Sequence, residues 1–396
     1  MKKQEGRMTL NGHNKHTKLA RPSLGSFGRN EWAILGAPCT VIKLLADEVI
    51  KALAPDYKGA YADTTHADDV TNAPGRLGAG AVLEYTDQLQ YSQLSYAAPL
   101  SPFQLRQHFS QADFVLVNGN HQQAKAQVLI LDENKKASLQ KRVSQLTNVE
   151  LILVSDNINE VFDFIEEAVP NWRDIPVLKS DDLQGIVMFF KSKLIQNLPK
   201  INGLVLAGGK SQRMGFDKTA VKWHDKEQRY HVADMLRGFC NEVYISCRAE
   251  QQELVDKDYA VLPDTFTDLG PYGAILSAFR SEPDSAWLVV ATDLPLLDET
   301  TIQHLVALRN PAAIATAYTS GFDGLPEPLI TIWEPKSYPQ LLAFLAQGYS
   351  CARKVLINSD TSLIPPANPD ALTNVNTPDE HDRIKQLLHQ KIASHD

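Results

Sequence analysis

Short apolar runs and amphipathic segments alternate along the chain. Trp32 to Leu35, Phe114 to Val117, Val128 to Leu131 and Leu151 to Val154 are strand-sized runs without polar alternation, which predicts strands covered on both faces. Behind the first, Val41, Leu45, Val49 and Leu53 recur at spacing four and predict a helix over 41–53. Val161 to Val169 and Leu183 to Ile195 predict two more helices. The polar bridge Gln196-Asn-Leu-Pro-Lys200 then breaks the pattern, and a new strand begins at Ile201 to Leu206. Beyond it the spacing predicts helices over 230–239, 273–280, 300–308, 336–346 and 378–388, and strands over 243–246, 287–291, 312–317 and 329–333.

This order predicts an α/β protein of two doubly wound domains, 31–197 and 198–396, behind a tail at 1–30. A chain of 396 residues exceeds one typical core, and 43% hydrophobic residues supply material for two. The tail carries Lys2, Lys3, Arg7, Lys15, Lys18, Arg21 and Arg29 among polar residues, with His13 and His16, and no apolar core of signal-peptide length, so a solvated, disordered end is expected.

Charge and cysteine usage narrow the chemistry. A net charge of −8 and a pI near 5.8 exclude a broad phosphate-backbone groove, so no nucleic-acid partner is expected. Cys39, Cys240, Cys247 and Cys351 are scattered without a C-x-x-C pair, which predicts neither a zinc site nor a disulfide framework. No apolar run is of membrane-spanning length, and a cytoplasmic location is expected.

The strongest chemical signal comes after the strand Ile201 to Leu206, where Leu206-Ala207-Gly208-Gly209-Lys210 opens a loop that continues to Lys218. Adjacent glycines leave backbone N–H groups uncovered for an anion, and Lys210, Arg213 and Lys218 add cations against one acid, Asp217. The lysine Lys218 falls nine residues after Gly209, which fits neither GxxxxGK[ST] nor GxGxxG. Two more strand ends carry acids: Asp293 in Ala291-Thr-Asp-Leu-Pro, stiff enough to hold Mg²⁺, and Asp264 after Val261-Leu-Pro. Either aspartate could equally stabilise a turn.

The string from Leu206 to Lys218 resembles the signature of nucleotidyltransferases that include the molybdenum cofactor guanylyltransferases, over about residues 200–390. The resemblance implies transfer of GMP from GTP to the terminal phosphate of molybdopterin or its molybdenum form, with pyrophosphate leaving and Mg²⁺ as cofactor. It implies Lys218, Arg213 and Asp293 as catalytic residues and Asp293 as the metal ligand. Leu206, Ala207, Gly208, Gly209, Lys218, Asp264 and Asp293 are implied on the nucleotide. Thr292 stands where the family usually has cysteine. Asn374-Val-Asn376 and Glu327-Pro-Leu329 are similar to softer family segments, although Thr377-Pro-Asp-Glu380 is also an ordinary helix start. Molybdoenzyme apo-proteins are candidate partners. Cytidylyl transfer, transfer to a sugar phosphate and a non-catalytic carrier are the alternative functions.

In the first half, Gly36-Ala-Pro-Cys-Thr-Val-Ile-Lys43 occupies the place of a P-loop with the signature broken: Val41, Ile42 and Lys43 stand where glycine, lysine and a hydroxyl residue are required. Pro74 to Ala81 and Asp113 to Gly119 resemble segments of the molybdopterin-guanine dinucleotide adapter, a small P-loop protein, over about residues 31–195. With Asn118 in place of that family's glutamate, the resemblance implies a degenerate adapter-like domain that no longer hydrolyses GTP. His66 and Asp68 are expected to be loop residues.

Overall fold

A computed structural model describes residues 20–65, 75–156, 158, 160–207, 223–224, 226–375 and 377–393. Its strands in chain order are β1 (Glu31–Leu35), β2 (Gly59–Ala62), β3 (Leu83–Asp87), β4 (Ser92–Tyr96), β5 (Phe114–Asn118), β6 (Ala126–Leu131), β7 (Val149–Val154) and β8 (Val177–Lys179). The second half supplies β9 (Ile201–Leu206), β10 (Val243–Cys247), β11 (Ala260–Pro263), β12 (Ala286–Ala291), β13 (Ala315–Thr319), β14 (Pro326–Trp333) and β15 (Thr361–Ile364).

The first half forms a six-stranded sheet in the order β2-β5-β1-β6-β7-β8. Every pairing in it is parallel. All residues of β1, β5 and β6 are buried, their apolar runs joined only by the polar Glu31, Asn118 and Gln127, as a sheet covered on both faces requires. One helix, Cys39–Leu53, lays Ile42, Ala46, Val49 and Leu53 on the sheet. Val41, expected on that face, is 41% exposed. A strict four-residue spacing overshoots the helical period of about 3.6 residues, so the buried stripe moves to neighbouring positions.

The second half forms a seven-stranded sheet in the order β11-β10-β9-β12-β14-β13-β15. Strands β9 to β12 run parallel, and β14 is antiparallel to both β12 and β13. The sheet is sandwiched between two apolar clusters, one including Val205, Val290 and Leu236 and the other Leu204, Trp287 and Phe279. These alternate residues of the same strands face opposite layers, which makes this half, like the first, a doubly wound α/β unit. Among the described residues, the hairpin of β3 and β4 pairs only with itself.

The halves are joined by more than the 196–200 bridge. Arg29 pairs with Asp284, Lys58 with Asp360, and Lys336 with Asp113. The Ser23 N–H donates to Asp284 at 2.8 Å, and Arg29 donates to the Pro283 carbonyl at 2.9 Å. Beside them lies a cavity of about 320 Å³ lined by Leu24, Phe103, Leu198, Tyr338 and Leu342.

Lys336 and Asp113 keep only 11% and 10% of their side-chain area exposed, so this pair is dry. Removing one partner from a buried pair leaves an uncompensated charge. Lys336→Met is therefore expected to lower the urea-unfolding free energy by about 3 kcal/mol. Adding Asp113→Asn should recover most of that loss, and a double variant no better than the single would contradict the pairing.

Candidate active site at the strand tips

The site grows from one register. Strands β9 and β12 lie side by side and parallel, with Val205 opposite Val290 and Leu206 opposite Ala291. Adjacent strands are about 4.8 Å apart, so the segments beyond Leu206 and Ala291 leave the sheet as neighbours. Thr292 and Asp293 come next on one side, Ala207 and then Gly208 on the other. This is also where chain order reverses, since β10 flanks β9 on its other edge. Open α/β sheets collect ligands in that crevice.

Gly208, Gly209, Lys210, Arg213, Asp217 and Lys218 lie outside the described residues, as do His13, His16, His66, Asp68 and Asn376. The residues that flank this segment on either side are described. At its entry, the buried Ala207 donates its N–H to the Ser246 carbonyl at 3.1 Å. Thr292 donates its hydroxyl to the Leu206 carbonyl at 3.2 Å, so the residue standing in for cysteine links the two strand tips. At its exit, the His224 Nε2–H donates to the Pro295 carbonyl at 2.9 Å, and Gln228 donates to the Leu294 carbonyl at 3.2 Å. The described residues before and after the segment therefore both contact the turn that holds Asp293.

The C-terminal region closes on the same turn. The Val375 N–H donates to the Asp293 carbonyl at 3.0 Å. The helix Pro378–Ala393 then begins with a capping box: Glu380 N–H donates to the Thr377 hydroxyl at 3.3 Å, and Thr377 N–H donates to the Glu380 carboxylate at 3.1 Å. His381 on this helix meets Trp223, at the segment's exit, with ring centroids 4.6 Å apart. Within the asparagine-rich motif it is the backbone of Val375 that makes the contact with Asp293.

Asp264 sits at the tip of β11, which β10 separates from β9. The Ser246 hydroxyl donates to its carboxylate at 2.6 Å, and its own N–H donates to the Cys247 carbonyl at 2.9 Å. Burial raises its pKa, against the Ser246 hydrogen bond and the Arg248 charge. These contacts fasten β11 to β10, while the carboxylate remains on the same edge as Asp293. Gly270, with φ of 56°, then turns the chain into the helix Pro271–Ser281, whose proline opens the first turn.

In the first half, β1 ends at Leu35 and the helix begins at Cys39, so only residues 36–38 lie between. A phosphate-wrapping loop needs more chain than that. Gly36 has φ of 94°, and a Cβ there would stand 2.2 Å from the Ile130 carbonyl oxygen, so the turn is pressed onto β6. Lys43 pairs with Asp63 at 3.4 Å, so its charge is engaged by an acid. Asn118 is fully buried at the end of β5.

Residues 203–362 match the family described as MobA-like NTP transferase domain. The chain is 30% identical over 203 residues to a molybdenum cofactor guanylyltransferase of Shewanella loihica, a match that covers 49% of this chain and 98% of that one. It is 32% identical over 183 residues to a molybdenum cofactor biosynthesis bifunctional protein of Synechocystis sp., covering 46% of this chain and 53% of the relative, so it spans about half of that protein's length. Among solved structures, a MobB protein homolog from Bacillus stearothermophilus shares 17% identity at a TM-score of 0.30, over 42% of this chain and 99% of that one.

The strand-tip contacts lead to two expected outcomes. His231 stacks on His224 with centroids 4.0 Å apart, and its pKa falls from 6.5 to about 4, through burial first and the His224 charge second. The unfolded chain then binds more protons than the folded one between those values. Stability is full above pH 6.5 and lost as pH falls toward 4. His231→Gln should flatten that fall in urea midpoints, and an unchanged slope would exclude His231 as its source. Thr292→Val removes the link to Leu206 and is expected to cost about 1 kcal/mol of stability. Raising KM for the nucleotide triphosphate together with that loss would mark strand-tip alignment, whereas unaltered kinetics would show Thr292 to be dispensable.

Proposed function

We propose that this chain, which belongs to the family of molybdenum cofactor guanylyltransferases, transfers GMP from GTP to the terminal phosphate of molybdopterin, with pyrophosphate leaving. The observation that supports this reading is the β9–β12 register, which sets Leu206, just before the glycine segment, beside Ala291, just before Thr292 and Asp293.

The donor set suits magnesium. Among the described residues no three His, Cys, Asp or Glu side chains gather into a metal cage. A magnesium ion bound with a triphosphate needs only one or two carboxylates, because phosphate oxygens and water complete its shell. Asp293 is that carboxylate in this proposal. When bound, the ion would offset negative charge on the triphosphate.

The chain's own groups do the rest. Backbone N–H groups of Gly208 and Gly209 approach the phosphates, unobstructed by a Cβ. Lys218 neutralises charge that develops on the phosphates as the new bond forms, and Arg213 holds the same phosphates. The acceptor is already an anion, so no strong base is required. An acceptor oxygen attacks the α-phosphorus in line, the bond to the β-phosphate oxygen breaks, and pyrophosphate carries off the electron pair. Ala207 and Leu206 set the entry to the loop, and Asp264 lies on the nucleotide side. The first domain is an adapter-like unit that keeps the acceptor or its carrier near the transferase site, and the short 36–38 turn supports its having lost GTP hydrolysis.

Pyrophosphate release with each of the four ribonucleoside triphosphates, with and without molybdopterin, tests the proposal. GTP with molybdopterin should be the productive pair; release with CTP alone among the four would replace the guanylyl assignment. Asp293→Ala and Lys218→Ala are each expected to lower kcat by about 100-fold or more with an unaltered melting temperature. Near-normal turnover in either variant would remove that residue from the mechanism.

A further inference from the structure

The first domain's own crevice, at the carboxyl ends of β1 and β5, is the place where an open α/β sheet holds a ligand. It has lost its phosphate loop, yet it is not blank. Cys39 stands there as the first residue of the fifteen-residue helix Cys39–Leu53, which has no acidic residue in its first turn. Its Sγ lies 3.3 Å from Nε2 of His121, three residues beyond the end of β5. The Asn120 amide donates to the same sulfur at 3.6 Å and to the Ala37 carbonyl at 2.9 Å. Asn120 is itself held, since Arg142 donates to its side-chain oxygen at 3.0 Å and to its carbonyl at 3.4 Å.

We infer that Cys39 and His121 form a thiolate–imidazolium pair, and that this crevice is a reactive-thiol site for soft electrophiles such as the sulfur of a disulfide. Three separate features favour the anion: the imidazole proton, the amide donor and the helix N-terminus. Among the described residues, the other titratable groups beside the pair come from the neighbouring elements. Tyr61 and Asp63 come from β2 and its end, and Lys43 projects from the helix. Lys43 pairs with Asp63 at 3.4 Å, and the Tyr61 hydroxyl donates to Asp63 at 3.1 Å. Burial works against ionisation of Asp63, but hydrogen bonds from Asn118, Thr64, Tyr61 and Lys43 hold it below the usual carboxylate range. Its charge is therefore engaged within its own cluster and does not stand alone against the sulfur. Arg142 adds a cation behind Asn120.

The remaining cysteines serve as internal references. Burial pushes the Cys240 thiol up to about 12 and the Cys247 thiol up to about 11, so both stay protonated. Cys351 is exposed in the second domain, outside this crevice. In the reaction proposed, the Cys39 thiolate attacks a disulfide, one S–S bond forms as another breaks, and the displaced sulfur leaves as a thiolate. This inference does not rest on the transferase reading, and its test needs neither nucleotide nor molybdopterin.

The test alkylates the full-length chain with iodoacetamide at a series of pH values and quantifies each cysteine peptide by mass spectrometry. Sulfur displaces iodide, so the rate tracks the thiolate fraction. Cys39 should react about tenfold faster than Cys351 at pH 7, with a midpoint well below the ordinary thiol value of about 8.5. His121→Gln keeps a hydrogen-bond donor but removes the cation. It should slow Cys39 about tenfold at pH 7 and return the midpoint toward about 8.5, leaving Cys351 unchanged. The wild-type profile is informative even if the variant fails to fold. A Cys39 midpoint at or above about 8.5, or a rate no higher than that of Cys351, overturns the inference. An unchanged profile in a folded His121→Gln variant overturns it as well.

Discussion

Parallel pairing between β9 and β12 is the constraint on which the second domain's chemistry depends. Two strand ends far apart in sequence, one leading to the glycines and one to Asp293, are neighbours because Leu206 and Ala291 face each other across the ladder. Everything attached to those tips reinforces the alignment. Thr292 reaches across to Leu206, His224 and Gln228 bond to carbonyls of the Asp293 turn, and Val375 closes on the Asp293 carbonyl. A one-residue slip of β12 would turn each of its side chains to the opposite face, exposing Leu288 or Trp287 to the wrong layer. Burial of the core thereby fixes the position of the site.

Much of this was legible in the sequence, for a physical reason. Strands buried on both faces are written as continuous apolar runs, and β1, β5, β6, β9 and β12 were all visible in that way. The short edge strands β2, β8 and β15 were not, because three or four residues at a sheet edge carry too little apolar pattern to stand out. The β3–β4 hairpin escaped because none of its residues is buried, so it carries no apolar run. In the candidate site, the strand ends Leu206 and Ala291 that precede the glycine pair and Asp293 were legible as the ends of apolar runs. Thr292, His224 and the backbone of Val375 were not, since their roles consist of hydrogen bonds to carbonyls that only tertiary structure brings within reach.

The first domain repeats the parallel, doubly wound architecture. The strands of its six-stranded sheet are parallel, and only residues 36–38 separate β1 from the helix that follows it. Gly36 is needed there for close approach to β6 rather than for an anion. Ion pairs from Arg29, Lys58 and Lys336 attach this unit directly to the transferase-type sheet. A dry pair such as Lys336 with Asp113 adds directional specificity to that attachment, whatever its net contribution to stability.

Calorimetric titration of GTP, with and without Mg²⁺, into the wild-type chain and an Asp293→Asn variant tests the central claim most directly. If Asp293 and the glycine segment grip one triphosphate through a shared cation, Mg²⁺ tightens GTP binding by about tenfold or more in the wild type and leaves the variant almost unaffected. The same Mg²⁺ enhancement in both proteins would contradict the claim and place the metal elsewhere.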